Sequence, residues 1–230
     1  VEVTAEPGMT ILEAAGKAGI WIPTLCYYPK TSPSDSCRMC VVEIEGIERP
    51  MTSCNTVAAD GMRVHTDTQR LRGIRREVMN LVLMDHPLDC PICPAAGECE
   101  IQKLTYKLAI EGTDLPVKKR ALPVERSWPL IEYNPNLCIT CLRCVKVCHE
   151  VIGARALALH EVGYEARIGT TDGKILHCDF CGECVEACPT GAIRRNDFII
   201  DPGRCLTLFN ELPDPIPGWI PSSAHNALVG

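Results

Sequence analysis

The sequence predicts an α+β chain made of several small modules rather than one large core. Three observations carry that expectation. The chain has 230 residues and 16 cysteines, nearly all of them in four tight sets. Its first 68 residues read as short strand-like runs around a single helix, and the stretch after them as a strongly periodic helix. Residues 137–195 contain an internal repeat, C138-I-T-C-L-R-C-V-K-V-C148 against C178-D-F-C-G-E-C-V-E-A-C188, both C-x2-C-x2-C-x3-C. A packed single domain does not need so many cysteines, whereas small modules with thin cores draw folding energy from bound metal.

Within residues 1–68, Val1 is not Met and reads as lying inside a strand, so further residues are expected before it. Pro7-Gly8 makes a turn, and Thr10-Ile-Leu-Glu13 is a capping-box start for a short helix. The apolar face of that helix is Ile11, Leu12, Ala15 and Ala18, and Gly19 stops it. Val41–Glu45 is a strand closed by a turn at Gly46, and residues 61–65 form another. Cys26, Cys37 and Cys40 fall on the loop before the first of these strands.

Thr66–Met84 is the clearest helix, with Thr66-x-x-Gln69 as its cap. Leu71, Ile74, Val78, Leu81 and Val82 lie on one face at helical spacing, the pattern of core packing. Pro87 ends the helix, which leaves His86 at the start of a loop holding Cys90, Cys93 and Cys99. A second short helix is expected over 102–110. Residues 112–136, with four prolines and the basic Lys118-Lys-Arg120, read as a linker crossing the surface. The expected modules are therefore 1–68, 69–125 (linker included), 126–200, and a Pro-rich tail over 201–230 that carries the last cysteine, Cys205.

The formal net charge of −6 argues against a nucleic-acid surface, which would be basic. No apolar run approaches the ~20 residues of a membrane span. Disulfides are the rival use for the cysteines and belong to oxidising compartments. The sequence opens without the basic and apolar stretches of an export signal, and clustered C-x-x-C spacing in a cytoplasmic chain favours metal.

The double run carries the most specific chemistry. Four thiolates at this spacing hold cubane 4Fe–4S clusters, and in two-cluster ferredoxins the fourth cysteine of each run ligates the other cluster. On that rule one cluster takes Cys138, Cys141, Cys144 and Cys188, and the other takes Cys178, Cys181, Cys184 and Cys148. Pro189 follows Cys188 as the motif has it, while His149 stands where the first run would have its proline. Zinc sites instead pair two C-x-x-C elements across a longer spacer.

The N-terminal set, C26-x10-C37-x2-C40-x13-C54, suits a 2Fe–2S site: two cysteines on a loop, then C-x2-C, then a distant fourth. Its first spacer is ten residues where a plant-type site has four, and the extra length is the polar loop 27–36. In the central set, H86-x3-C90-x2-C93-x5-C99, three cysteines lack a fourth thiolate, so His86 is read as the remaining ligand of a third 4Fe–4S cluster. A neutral imidazole in place of a thiolate raises reduction potential. His65, His160, His177 and His225 have no such constellation. Cys205 is either a plain thiol or a ligand whose partners lie beyond residue 230.

Taken in order, these motifs resemble the iron–sulfur arm of the large peripheral subunit of respiratory complex I, an arm also found in NAD-dependent formate dehydrogenases and [FeFe] hydrogenases. As a chain of this size it looks most like the small diaphorase subunit of NAD-reducing [NiFe] hydrogenase. The phrases I22-P-T-L-C26, D85-H-P-L-D-C-P-I-C93 and G97-E-C-E100 carry the likeness. The resemblance implies a β-grasp 2Fe–2S domain, a small helical His/Cys3 4Fe–4S domain and a bacterial-type 2[4Fe–4S] ferredoxin domain. It also implies a partner subunit with FMN that handles NAD(H), and a catalytic hydrogenase or dehydrogenase subunit beyond it. The expected function is electron transfer without substrate chemistry: no G-x-G-x-x-G follows a strand, and no nucleophile–base pair stands out. A formate dehydrogenase or complex I chain of which this is the iron–sulfur part is one alternative, and a zinc-rich scaffold is another of a different class.

Overall fold

A computed structural model describes residues 1–116, 119, 121–174 and 176–196. His225, Cys205 and the expected tail lie outside the described residues. Residues 1–195 form one unit of mixed helix and strand.

Its first helix, α1 (Ile11–Lys17), has the capping box that the sequence encodes. Thr10 Oγ1 accepts from the Glu13 N–H at 3.3 Å, and the Glu13 carboxylate accepts from the Thr10 N–H at 2.8 Å. It buries Ile11, Ala14 and Ala15. Ala18, expected on that face, is exposed because the helix caps there and Gly19 turns away at φ +72°. Strand β1 (Val41–Ile44) pairs antiparallel with β2 (Met51–Thr52) on one edge and β3 (Val64–His65) on the other. Only the last two residues of the expected 61–65 strand pair. The strand expected around Val1 is not formed, and Thr10 makes an isolated antiparallel bridge to Val57.

Helix α2 (Gln69–Asp85) starts from Thr68, not Thr66. The Thr68 hydroxyl accepts from the Leu71 N–H and donates to Glu43, which ties the cap to the sheet. The buried face also differs from the expected one. It runs Leu71, Arg75, Met79, Leu83, whereas Leu81 is exposed and Ile74, Val78 and Val82 are half-buried. The helix has turned to admit an arginine that an apolar pattern counts as solvent-facing. Arg75 is 3 % exposed, and its guanidinium donates to the carbonyls of Val41 and Thr66 at 2.9 Å and of Met39 at 3.4 Å. A buried charge is tolerated only with such partners. The carbonyls of Met39 and Val41 fasten α2 to the segment that carries Cys40. At its other end α2 leaves its last carbonyls open, and Lys119 Nζ donates to those of Leu83 and His86.

Helix α3 (Glu100–Lys107) begins two residues before the expected start, with Cys99 as its extended cap and Glu100 in the first turn, where a carboxylate suits the helix dipole. The surface linker expected over 112–136 is shorter than it reads. Inside it lies strand β4 (Ile131–Tyr133), fully buried and paired with β7 (Ile193–Arg195). Pro129 and Pro135 flank this three-residue strand and disguise it as loop. Trp128 stacks on Tyr133 with ring centroids 6.1 Å apart. The rest of the C-terminal module is α4 (Arg143–Lys146), a π-turn over Val147–Val151, the hairpin of β5 (Leu157–His160) and β6 (Arg167–Thr170), and α5 (Glu183–Ala187). Its core gathers Trp128, Tyr133, Val147, Leu157, Ile168 and Ile193.

The modules share surfaces. Leu25 and Met39 of the first pack with Met79, Leu83, Ile101 and Leu104 of the second. The long loop after Cys26 docks on the third: Lys30 pairs with Glu183 at 2.8 Å, and Ser32 binds Glu150 and Lys146. The six residues by which its spacer exceeds a plant-type one thus form a bridge. At the other junction Gly191, at φ +65°, leaves no room for a side chain, since a Cβ there would sit 2.7 Å from the Ala95 Cβ. Gly191→Ala should therefore cost about 1–3 kcal/mol from the left-handed backbone, plus overpacking. Thermal unfolding should show a midpoint lower by about 2–4 °C per kcal/mol. Adding Ala95→Gly should restore only the packing part.

Candidate iron–sulfur sites

The two cysteine runs fold alike. In both, the residue two after the first cysteine is left-handed (Thr140 φ +53°, Phe180 φ +52°), and so is the one two further on (Leu142 φ +66°, Gly182 φ +84°). Non-glycine residues accept this strain when the surroundings demand it. Here it turns backbone N–H groups inward: Thr140 donates to Cys138 Sγ at 3.4 Å and Phe180 to Cys178 Sγ at 3.3 Å. Leu142 and Gly182 then open α4 and α5, which present Cys144 and Cys184 to the interior.

The thiols border two separate cavities. One, with about 310 Å³ of empty space, is walled by Cys138, Cys141, Cys144 and Cys188, with Tyr133, Ile168 and Pro189. The other, with about 460 Å³, is walled by Cys178, Cys181, Cys184 and Cys148, with Val147, Leu157 and Phe180. The fourth cysteine of each run lies with the first three of the other. The π-turn after α4 carries Cys148, a local widening of the helix of the kind that recurs at functional sites. Cys148 Sγ accepts from the Ala156 N–H at 3.2 Å. His149, in the position of the motif's proline, bonds the Leu157 carbonyl at 2.7 Å and so pins the turn to β5.

These sulfurs suit thiolate ligation in donor type, number and surroundings. Burial pushes the Cys141 and Cys184 thiols up to about 12 and raises Cys144 as well. Iron held by these thiols would displace their protons, as thiolate metal sites do. Among the described residues no three His, Cys, Asp or Glu side chains converge as the ligands of a single ion do. The described cysteines are free thiols.

In the first module Cys26, Cys40 and Cys54 are buried and Cys37 is half-buried. They associate in two pairs. The neighbouring Cys37 thiol lowers the pKa of Cys26, and the Cys54 thiol lowers that of Cys40. Ser53 packs beside them, its hydroxyl donating to the Cys40 carbonyl at 2.7 Å.

The central set is less tightly drawn together. Cys90 and Cys93 bound the turn Cys90–Ile92, and both act electrostatically on Cys99 at the cap of α3. His86 is buried at the C-cap of α2, and its Nδ1 has no hydrogen-bond partner among the described residues. Burial and the nearby Lys119 charge lower its pKa to about 4, so the ring is neutral and its lone pair is available. The cavity it borders is also lined by Cys138 and Thr140 of the first ferredoxin run. His65 is exposed, His177 reaches Asp172, and His160 bonds the Thr170 carbonyl.

Two charged residues near the thiols escaped sequence reasoning, Arg75 and Arg143, because buried arginines carry no pattern of their own. A weak signal existed for the second, which stands between two cysteines of one run.

Comparison with known proteins fits this geometry. Residues 1–69 match a 2Fe-2S iron-sulfur cluster binding domain, residues 75–113 the NADH-ubiquinone oxidoreductase-G iron-sulfur binding region, and residues 128–194 the ferredoxin-like domain of NADH-quinone oxidoreductase subunit 3. The chain is 46% identical over 197 residues to the NADPH-Fe(3+) oxidoreductase subunit alpha of Geobacter sulfurreducens, covering 86% of this chain and 23% of that one. It is 37% identical over 191 residues to the mitochondrial NADH dehydrogenase [ubiquinone] iron-sulfur protein 1 of Solanum tuberosum, covering 83% and 26%. It thus spans about a quarter of the length of these curated relatives. Among solved structures, a chain of NAD+-reducing [NiFe]-hydrogenase in the H2-reduced state superposes with a TM-score of 0.79 at 30% identity, covering 85% of this chain and 84% of that one. No helix among the described residues is long and apolar enough to cross a membrane.

Proposed function

This chain belongs to the iron–sulfur subunit family shared by NADH-quinone oxidoreductases and NAD+-reducing [NiFe]-hydrogenase, and on that premise we propose that it relays electrons through one 2Fe–2S and three 4Fe–4S clusters. The observation that carries the reading is the pair of cavities, each walled by four thiols drawn from both cysteine runs. Cys26, Cys37, Cys40 and Cys54 hold the 2Fe–2S cluster in this reading, and His86, Cys90, Cys93 and Cys99 the central cubane. When bound, such clusters accept and release one electron at a time at potentials set by charge, hydrogen bonds and solvent exposure.

The chain's own groups supply those settings. Backbone N–H groups aimed at Cys138, Cys148 and Cys178 stabilise negative sulfur. Apolar walls such as Val147, Ile168 and Leu157 keep water out of the two ferredoxin cavities. The bridge of residues 27–36 holds the first module against the third, so that the first site and the ferredoxin pair keep a fixed spacing. Electrons would enter from a partner carrying FMN and NAD(H) and leave towards a catalytic metal subunit, in a cytoplasmic complex of hydrogenase or dehydrogenase type.

The test separates relay from catalysis. The iron-loaded chain alone should show no NADH oxidation with dye acceptors, and activity should return on adding the flavin-bearing partner. His86→Ala should then slow delivery to the distal acceptor more than dye reduction at the flavin, because only the longer route passes the central site. Dye reduction by the isolated chain at ~1–10³ s⁻¹, the range of enzymes, would overturn the proposal.

A further inference from the structure

Between the second and third modules lies an ion pair that the ligand assignment does not use. Arg143, on α4 between Cys141 and Cys144, is 5 % exposed, and its two terminal nitrogens donate to the two oxygens of Glu100 at 2.9 Å each. Glu100 follows Cys99 and opens α3, and its own N–H donates to the Pro189 carbonyl at 2.8 Å, one residue after Cys188. The pair therefore touches the ligand segments of the central site and of the first ferredoxin cavity. Burial opposes the charge on Arg143, the Glu100 bonds restore it, and the sulfurs of Cys141 and Cys26 lie within its field. The Arg143 N–H also bonds the Cys141 sulfur, so backbone and side chain both favour negative charge there. Its Nε is buried and finds no acceptor among the described residues.

A salt bridge that merely joined modules would not need a buried guanidinium whose field reaches two ligand sulfurs, with a donor left over. We propose that Arg143 sets the reduction potential of the cluster held by Cys138, Cys141, Cys144 and Cys188, making that site easier to reduce, with Glu100 fixing the guanidinium in place. The inference rests on the ligand reading above. An added electron makes the cluster one unit more negative, and a fixed cation in a low-dielectric interior lowers the energy of that state. The unpartnered Nε leaves one donor uncommitted beside the ligand segment, and outer hydrogen bonds tune metal centres. The same charge acts more weakly on the 2Fe–2S site through Cys26, and the cluster walled by Cys148, Cys178, Cys181 and Cys184 serves as an internal reference.

The experiment is an EPR-monitored redox titration of the full, iron-loaded chain, with the signal of interest identified by its loss in Cys141→Ala. Arg143→Gln should make that cluster at least tenfold harder to reduce, which is 59 mV for a one-electron couple. The 2Fe–2S midpoint should move less and the reference cluster should not move. Arg143→Lys, which keeps the charge but loses Nε, should recover at least half of the shift. Glu100→Gln removes the counter-charge and should make the cluster easier to reduce, which keeps the idea testable if Arg143→Gln loads poorly. An unchanged midpoint in Arg143→Gln, an equal shift of all clusters, or a shift of the wrong sign in Glu100→Gln overturns it. Low iron in the unsubstituted chain would instead count against the ligand reading, and iron is measured first for that reason.

Discussion

Cys188→Ala and Cys141→Ala, made singly or together, should each leave about ten of about fourteen irons per chain, because both cysteines serve one cubane. Cys188→Ala combined with Cys181→Ala should instead leave about six, because those two serve different cubanes. The expectation follows from the cavity walls: Cys188 lies with Cys138, Cys141 and Cys144, and Cys148 with Cys178, Cys181 and Cys184. Were each run to hold its own cluster, the two double variants would exchange places. Iron analysis of the four proteins beside the unsubstituted chain decides the matter, and the additivity guards against a general loosening, which would lower all of them together.

Much of this was legible in the sequence because cysteine spacing encodes geometry directly. The exchanged grouping was readable from the repeat through the rule that in two-cluster ferredoxins the fourth cysteine of each run serves the other cluster. The capping box at Thr10 was equally readable, since both of its bonds are local. What could not be read depends on distant partners. Strand β4 is three residues between prolines and exists because β7, some sixty residues away, offers it an edge. Arg75 is buried because three carbonyls of another module meet it, and its presence rotates the buried face of α2 away from Leu81. The length of the 27–36 loop looked like a departure from a ferredoxin spacer. Its purpose shows only against Glu150, Lys146 and Glu183 of the third module. His86 falls between these cases: its position before three cysteines is plain in the sequence, while its burial and its unpartnered Nδ1 are visible only in the fold.

Fifteen cysteines and one histidine holding four clusters in one chain should show first in metal content. Two irons for the first site and four for each cubane give about fourteen per chain. Anaerobically purified, fully loaded protein should show that count with no stoichiometric zinc. Acid-labile sulfide should match the iron, and the solution should be brown. The expected effect is large, since losing any cubane removes about four irons. A count near ten would remove one cubane, and the central site, whose cysteines are less tightly drawn together, would be the one to go. Stoichiometric zinc in place of iron, in a colourless protein, would contradict the relay altogether.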